Sequence, residues 1–214
     1  MRTDPFTDTW MFLIGEQPDQ TALGAWRWLL VALFLGALAA SIWIARANWR
    51  ADPAQRHAGH VWMWLFRVLF GAMWFQGSLW KLPFPVSGGF QSWTEQITEN
   101  AAFEVHRALV RDVLLPNIAL LQPVVFLTEI SLGLSMILGL AVRASSLVGI
   151  VFALQLWLGL YHLQVEWPWL FAFMVIGMGQ FIVHAAGRSL GLDATLRRQG
   201  LPATGLGRAY ALAS

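Results

Sequence analysis

The sequence contains no cysteine among its 214 residues. Without a thiol it forms no disulfide and no thiolate metal site, and it can neither ligate an iron–sulfur cluster nor attach a covalent c-type haem. Redox cycling of cysteine is excluded for the same reason. Any redox activity therefore needs a cofactor that binds without cysteine, or a partner that carries the redox centre.

Charge is also scarce in this sequence. Charged residues make up 12% of it and the formal net charge is +2. The arginines cluster at the ends of apolar segments and form no basic face, so nucleic acid is not expected as a partner. Hydrophobic residues, in contrast, make up 57%, with 13 tryptophans. This composition is typical of an integral protein of the lipid bilayer.

Long apolar runs predict an all-α fold, a polytopic membrane helical bundle with five transmembrane helices. The runs are continuously apolar, whereas transmembrane strands alternate. No short basic region precedes the first run, so we interpret it as a retained helix and not as a cleaved signal peptide. The five runs are Ala25–Ala45, Val61–Leu82, Ile118–Val142, Ser145–Leu163 and Pro168–Gly187.

The runs divide the chain into an N-terminal extracytoplasmic segment (1–24), an additional transmembrane helix (25–47), a membrane bundle (61–187) and a cytoplasmic tail (188–214). The bundle includes a long extracytoplasmic excursion over 83–117. Apolar residues in the excursion recur every three or four positions, which predicts an amphipathic helix on the membrane surface or over the end of the bundle. These residues are Phe90, Trp93, Ile97, Ala101, Val105 and Leu109.

The distribution of arginine predicts the orientation. Arginines follow the first, third and fifth runs, at Arg46, Arg143 and Arg188 among others. By the positive-inside rule these ends are cytoplasmic. We therefore expect a multi-pass protein of the cytoplasmic (inner) membrane, with its N-terminus outside and its C-terminus inside.

Glu129 is the one ionisable residue between Ile118 and Val142. Its position near the middle of a run places it close to the bilayer midplane, where an unpaired carboxylate costs about 2.5 kcal/mol or more. A charge at this depth indicates a functional site.

Polar and small residues share one stripe in this run and one in the second run, so we expect the two stripes to face each other or a shared cavity. The stripes are Gln122, Phe126, Glu129, Gly133, Met136, Leu140 and Arg143, and Arg67, Gly71, Trp74, Ser78 and Lys81.

The rise per residue predicts which groups surround Glu129. Trp74, Gln155 and Gln180 lie level with it, whereas Arg67 lies about 11 Å nearer the cytoplasmic side. We therefore expect neutral hydrogen-bonding neighbours and a protonated carboxyl group, not a simple ion pair with Arg67. The two glutamines are alternatively interhelical hydrogen-bonding residues.

A metal site is not predicted, because neither His162 nor His184 has a second histidine three or four residues away.

The ordered motifs resemble those of the DoxX superfamily of small membrane bundles. They are Arg67, Gly71, Gly77 and Lys81 in the second run, Glu129, Gly133, Gly139 and Arg143 in "TEISLGLSMILGLAVR", and finally "HAAGRSLGLDATL". The stretch "VLLPNIALLQPVVFLTEISLGLSMILGL" is similar to the DoxD branch, the membrane subunit of thiosulfate:quinone oxidoreductase. The resemblance covers Val61–Leu196 and implies a four-helix DoxX-like core with one added N-terminal helix.

The resemblance implies that electrons pass from thiosulfate or a similar small sulfur compound to quinone as a diffusible acceptor. Under this interpretation the catalytic residues are Glu129 and Arg67, and a companion subunit or a soluble redox enzyme is the partner. The substrate-binding residues would be Lys81, Arg107, Arg111 and His162, and the quinone-binding residues Trp74, Gln155 and Gln180.

The same residues fit other interpretations. Lys81 is alternatively a snorkelling anchor, and Trp74 a packed core residue. The whole protein is alternatively a non-catalytic scaffold that holds soluble redox or stress-defence enzymes at the membrane. The sequence does not determine the oligomeric state.

Overall fold

The computed structural model describes residues 4–14, 16, 23–82, 86–164, 168–200 and 204–214. Within these ranges it contains helices and no strand, so the all-α prediction is confirmed for this part of the chain. Residues 83–85 of the predicted excursion, and parts of the predicted segment 1–24, lie outside the described ranges.

The longer helices follow the apolar runs. The run predicted to begin at Ile118 is a helix from that residue. The helix of the first apolar run, in contrast, continues six residues beyond the predicted end at Ala45. In chain order the helices are α1 (Pro5–Leu13), α2 (Trp26–Ala51), α3 (Ala58–Ser78), α4 (Gly88–Asn100), α5 (Glu104–Leu109), α6 (Ile118–Leu138), α7 (Val142–Gly159), α8 (Pro168–Val183), α9 (Leu192–Gln199) and α10 (Gly205–Ala213). Short 3₁₀ turns at Pro53–Gln55, Leu79–Lys81, Leu115–Asn117 and Ala186–Arg188, and a π-helical turn at Val110–Leu114, extend or connect them.

Three helical stretches in the described ranges are long and apolar enough to cross a membrane. They are Trp26–Ala51, Glu104–Leu138 and Val142–Gly159, and Trp169–Val183 is a shorter apolar helix. The protein is therefore a multi-pass membrane protein. Five transmembrane helices are not confirmed: α3, which carries the buried polar residues Arg67 and Gln76, is not among the three.

Two glycines allow α3 and α6 to pack with their backbones in close approach. A Cβ atom added at Gly71 would lie 2.8 Å from the carbonyl oxygen of Gly133, and one added at Gly133 would lie 2.8 Å from the Cβ of Phe75. Small residues permit this approach between membrane helices. The predicted facing of the two polar stripes is thus confirmed, and α2 covers the same pair of helices through Phe34, which packs with Phe75.

The predicted amphipathic segment covers one end of the bundle, which we call the excursion end. Phe90, Ile97 and Ala101 are buried, and the last two pack with Leu160 after α7. Val105, which has the same spacing, is 78% exposed and faces away. The apolar stripe of α4 therefore caps the bundle, and the stripe does not continue through α5.

The opposite end, which we call the tail end, is held by Asp193. Its buried carboxylate accepts hydrogen bonds from the N–H groups of Ala141 (2.8 Å) and Val142 (3.3 Å), at the start of α7, and from the hydroxyl of Tyr210. Burial and this hydrogen bond raise the pKa of Tyr210. The motif "HAAGRSLGLDATL" thus carries a cap for α7, because a carboxylate at a helix N-terminus satisfies N–H groups that have no partner within the helix.

Candidate functional site

Glu129 lies in the middle of α6 and is 3% exposed. Its two carboxylate oxygens each accept a hydrogen bond of 2.6 Å from Nζ of Lys81. Lys81 ends the 3₁₀ turn after α3, and 13% of its side chain is exposed. Two of the three ammonium N–H groups are thus directed at one buried carboxylate.

This pairing corrects the prediction that only neutral groups surround Glu129. Lys81 was predicted to bind substrate and not to pair with Glu129. The depth estimate measured backbone positions along separate helices, whereas the four-carbon stem of lysine carries its charge several ångströms along the bundle. Lys81 therefore reaches Glu129 from the excursion end.

Gln122 holds the backbone that carries Lys81. Its side chain is fully buried, and its amide nitrogen donates to the carbonyl oxygens of Leu82 (3.0 Å) and Lys81 (3.3 Å). Its amide oxygen accepts a hydrogen bond of 2.9 Å from the N–H of Ser87, which caps α4. Gln122 precedes Glu129 by two helical turns, so one face of α6 positions both the backbone and the side chain of Lys81.

The ion pair lines a cavity of about 390 Å³ beneath the excursion. This volume lies within the range of small-molecule sites, which are mostly apolar with a few polar groups. The other side chains with polar groups in the lining include Gln155, Thr94 and His106, and the walls include Trp80, Phe90, Trp93, Phe152 and Leu156. The cavity suits a flat apolar ligand that accepts hydrogen bonds.

Three of the predicted site residues meet at this cavity, namely Glu129, Lys81 and Gln155. Trp74, predicted to bind quinone, is instead buried in a cluster with Leu132, Met136, Met178 and Phe181 and does not line the cavity.

Two other predicted residues lie on exposed surfaces. Gln180 is exposed on α8, where its amide oxygen lies 3.0 Å from Nε2 of His184. His162 is exposed, and its ring contacts the edge of Tyr161. Neither lines the cavity.

Arg67, predicted to be catalytic, lies at the tail end of α6. It is fully buried, and its Nη1 donates to the carbonyl oxygens of Met136 and, at 3.3 Å, of Ile137. Met136 follows Glu129 by seven residues, or about 10 Å. Arg67 therefore satisfies carbonyl groups at the C-terminus of α6, where a cation is favoured, and it does not line the cavity.

The two arginines predicted to bind substrate are engaged by the excursion itself. Arg107 donates two hydrogen bonds, of 2.9 and 2.7 Å, to the carbonyl oxygen of Ala101 at the end of α4. Arg111 pairs with Asp112 at 2.8 Å, and the carboxylate of Glu104 lies 3.7 Å from Arg107 and 3.9 Å from Arg111. The structure brings these two arginines together, but outside the cavity lining.

Three features of the site were not predicted from the sequence, namely His106, Trp80 and the hydrogen bonds of Gln122. The apolar stripe of the excursion was a usable signal for Phe90 and Trp93, since it indicated the side that faces the bundle. No comparable signal marked His106, because it lies in a stretch of mixed polar and apolar residues. Within the described residues no group of three or more histidine, aspartate and glutamate side chains is placed to hold a metal ion.

Residues 62–202, about two-thirds of the chain, match the family model described as TQO small subunit DoxD. No curated protein and no solved structure gives a significant match.

Proposed function

The chain belongs to the DoxD family, and on this basis we propose that it is the membrane subunit of a quinone-linked oxidoreductase. In this proposal electrons pass from thiosulfate, or a similar small sulfur compound, to the quinone pool. The apolar helical stretches support a site within the membrane, where quinone is dissolved. Quinone is here a diffusible substrate, and the electrons come from the sulfur compound directly or through a companion subunit.

The observation that carries the proposal is the Lys81–Glu129 ion pair in the wall of an apolar cavity. A quinone ring is flat and apolar, and its oxygens accept hydrogen bonds. The aromatic and aliphatic walls suit the ring, and the third N–H of Lys81 is assigned to one ring oxygen. The positive charge of Lys81 stabilises the negative charge that develops on this oxygen.

The reaction balances with thiosulfate as the donor. Two thiosulfate ions join through a new S–S bond to give tetrathionate, which releases two electrons. The quinone takes up two electrons and two protons, one on each oxygen, and leaves as quinol. Lys81 passes a proton to the oxygen that it contacts, and both protons come ultimately from solvent.

The sulfur anion is assigned to the excursion, where Arg107 and Arg111 share Glu104. Their contacts with Glu104, at 3.7 and 3.9 Å, are long for hydrogen bonds. An anion can replace this exposed carboxylate at little cost.

In the proposed orientation the excursion faces outward across the cytoplasmic membrane and the tail faces inward. The arginine distribution supports it. Since the sequence lacks cysteine, single cysteines report the side directly. A membrane-impermeant maleimide should label Glu95→Cys in intact cells and Arg208→Cys only after permeabilisation; the reverse pattern would overturn the orientation.

The activity test uses the full chain in lipid nanodiscs, with any protein that co-purifies. Thiosulfate and a short-chain benzoquinone are added, and quinone reduction is followed by absorbance. We expect turnover in the native protein and at least a tenfold loss in Lys81→Met and Glu129→Gln, since removal of one electrostatic contact at a reacting oxygen costs about this much or more.

Arg27 and Glu16 provide a matched control. They form a cation–carboxylate pair at 3.9 Å beside Trp28, as Lys81 and Glu129 do beside Trp80. The Arg27→Met and Glu16→Gln variants should keep the native rate. If the native protein with its partner reduces no quinone, or if Lys81→Met keeps the full rate, the proposal fails, and retained partner binding would then favour a scaffold.

A further inference from the structure

His106 lines the same cavity as the Lys81–Glu129 pair. It lies on α5, and its imidazole ring has no hydrogen-bond partner among the described residues. The rings of three other histidines, in contrast, form hydrogen bonds. His57 accepts one from the N–H of Gly59, His60 is hydrogen-bonded to Ser189, and His184 is hydrogen-bonded to Gln180. The ring of His106 is therefore available to a ligand in the cavity.

Gly159 makes room for this ring at the end of α7. A Cβ atom added at Gly159 would lie 3.2 Å from Cε1 of His106 and 3.1 Å from a side-chain carbon of Ile97. The imidazole thus lies against the last residue of α7, at the excursion end of the cavity.

The position of Gly159 sets the distance between the two polar ends of the cavity. Glu129 lies nine residues before the end of α6, and Gly159 lies seventeen residues after the start of α7. α6 runs towards the tail end, and α7 runs back after one short turn. Gly159, and the ring of His106 against it, therefore lie about 12 Å further from the tail end than Glu129. Two donor atoms that hydrogen-bond the opposite oxygens of a para-quinone lie roughly 11 Å apart. This distance is the sum of two carbonyl bonds, the width of the ring and two hydrogen bonds.

The other polar side chains of the lining fit the far oxygen less well. The hydroxyl of Thr94 already donates to the carbonyl oxygen of Phe90 at 2.7 Å. Gln155 lies about 6 Å beyond the level of Glu129, one turn short of Gly159, and so lies beside the ring. A carbonyl oxygen buried without a donor is costly, so the far end of the ligand needs one.

We propose that His106 is the second substrate-contacting residue of the cavity and donates a hydrogen bond to the quinone oxygen opposite the one held by Lys81. This inference rests on the proposed function and names the second anchor of the same substrate. The ligand class is a ring with oxygens at both ends.

The test compares two probes in the full chain in nanodiscs. A short-chain benzoquinone has two ring oxygens, and an alkylphenol has one. Dissociation constants are measured by quenching of tryptophan fluorescence. His106→Leu should weaken benzoquinone binding about threefold to tenfold, as expected for one lost hydrogen bond, and should leave alkylphenol binding unchanged. His106→Gln, which keeps a donor, should recover part of the loss.

Two controls separate a contact from a structural effect. His184→Gln, at an exposed position just after α8, should bind both probes as the native protein does. In ¹⁵N-histidine spectra, assigned with the His106 variants, benzoquinone should shift the His106 resonances and alkylphenol should not.

The outcomes distinguish the two proposals. If the native protein binds no benzoquinone, the proposed function fails together with this inference. If the native protein binds benzoquinone but His106→Leu binds it equally well, or loses both probes equally, the inference alone fails.

Discussion

Removing only Lys81 from the Lys81–Glu129 pair should destabilise the protein more than replacing both residues. Lys81→Met leaves the Glu129 carboxylate unpaired where 5% of its side chain is exposed. The carboxylate can take up a proton instead, which for an ordinary glutamate costs about 3.5 kcal/mol at pH 7. We therefore expect a destabilisation of about 3 kcal/mol, at the lower end of the range for breaking a buried pair.

The Glu129→Gln variant and the double variant complete a double-mutant cycle, which measures the coupling free energy of the pair. Glu129→Gln leaves an ammonium whose flexible stem can carry it towards water, so we expect a cost of about 2 kcal/mol. The double variant buries no charge and retains one amide in an apolar wall, at a cost of about 2 kcal/mol. The coupling free energy is then about 3 kcal/mol.

The measurement is reversible unfolding in mixed micelles with increasing SDS, followed by the fluorescence of the 13 tryptophans. The half-buried Arg27–Glu16 pair, whose charged atoms lie 3.9 Å apart, is the control cycle, and its coupling should stay below about 0.5 kcal/mol. A coupling below about 0.5 kcal/mol for Lys81 and Glu129 would refute a buried ion pair.

Three further predictions concern packing, the tail end and the support of Lys81. Gly71→Ala should destabilise by about 1–3 kcal/mol, because its Cβ would lie 2.8 Å from α6, whereas Gly77→Ala on the same helix meets nothing within 4 Å and should be neutral or stabilising; equal effects in SDS unfolding would contradict the close contact of α3 with α6. Tyr210→Phe should lower the melting temperature at pH 8, and because the pKa of Tyr210 is raised by burial and by Asp193, its advantage should be complete below pH 10 and shrink above it; a difference that stays constant from pH 8 to 11 would disprove this linkage. Gln122→Leu should cost about 2–3 kcal/mol by leaving buried backbone groups unpaired, and should weaken quinone binding; unchanged stability and affinity would show that Gln122 does not position Lys81.

Much of the fold was predictable because apolar runs impose helices in a bilayer. The run from Ile118 produced a helix with the expected start, and the glycines at 71 and 133 indicated which faces meet. Hydropathy did not determine the number of membrane crossings, since α3 combines apolar length with polar residues such as Arg67. Such a helix can span the membrane only if neighbouring helices supply hydrogen-bond partners for its polar groups. Hydropathy does not contain this information.

The candidate site was predictable in part. Glu129 stood out because a carboxylate in an apolar run is costly wherever the helix packs. Its partner did not, because Lys81 reaches it through a long side chain after a turn that Gln122 holds in place. Arg67, equally conspicuous in the sequence, binds carbonyl groups at the end of α6 instead.

The sequence by itself determined a membrane bundle without thiol chemistry and with one costly carboxylate, because composition and hydropathy act on each segment separately. The tertiary structure decided which cation pairs with that carboxylate, that a cavity borders the pair at the excursion end, and that His106 lines the same cavity. These outcomes depend on side-chain reach and on how the excursion folds back over α7. Both are relations between distant segments, and no single segment encodes them.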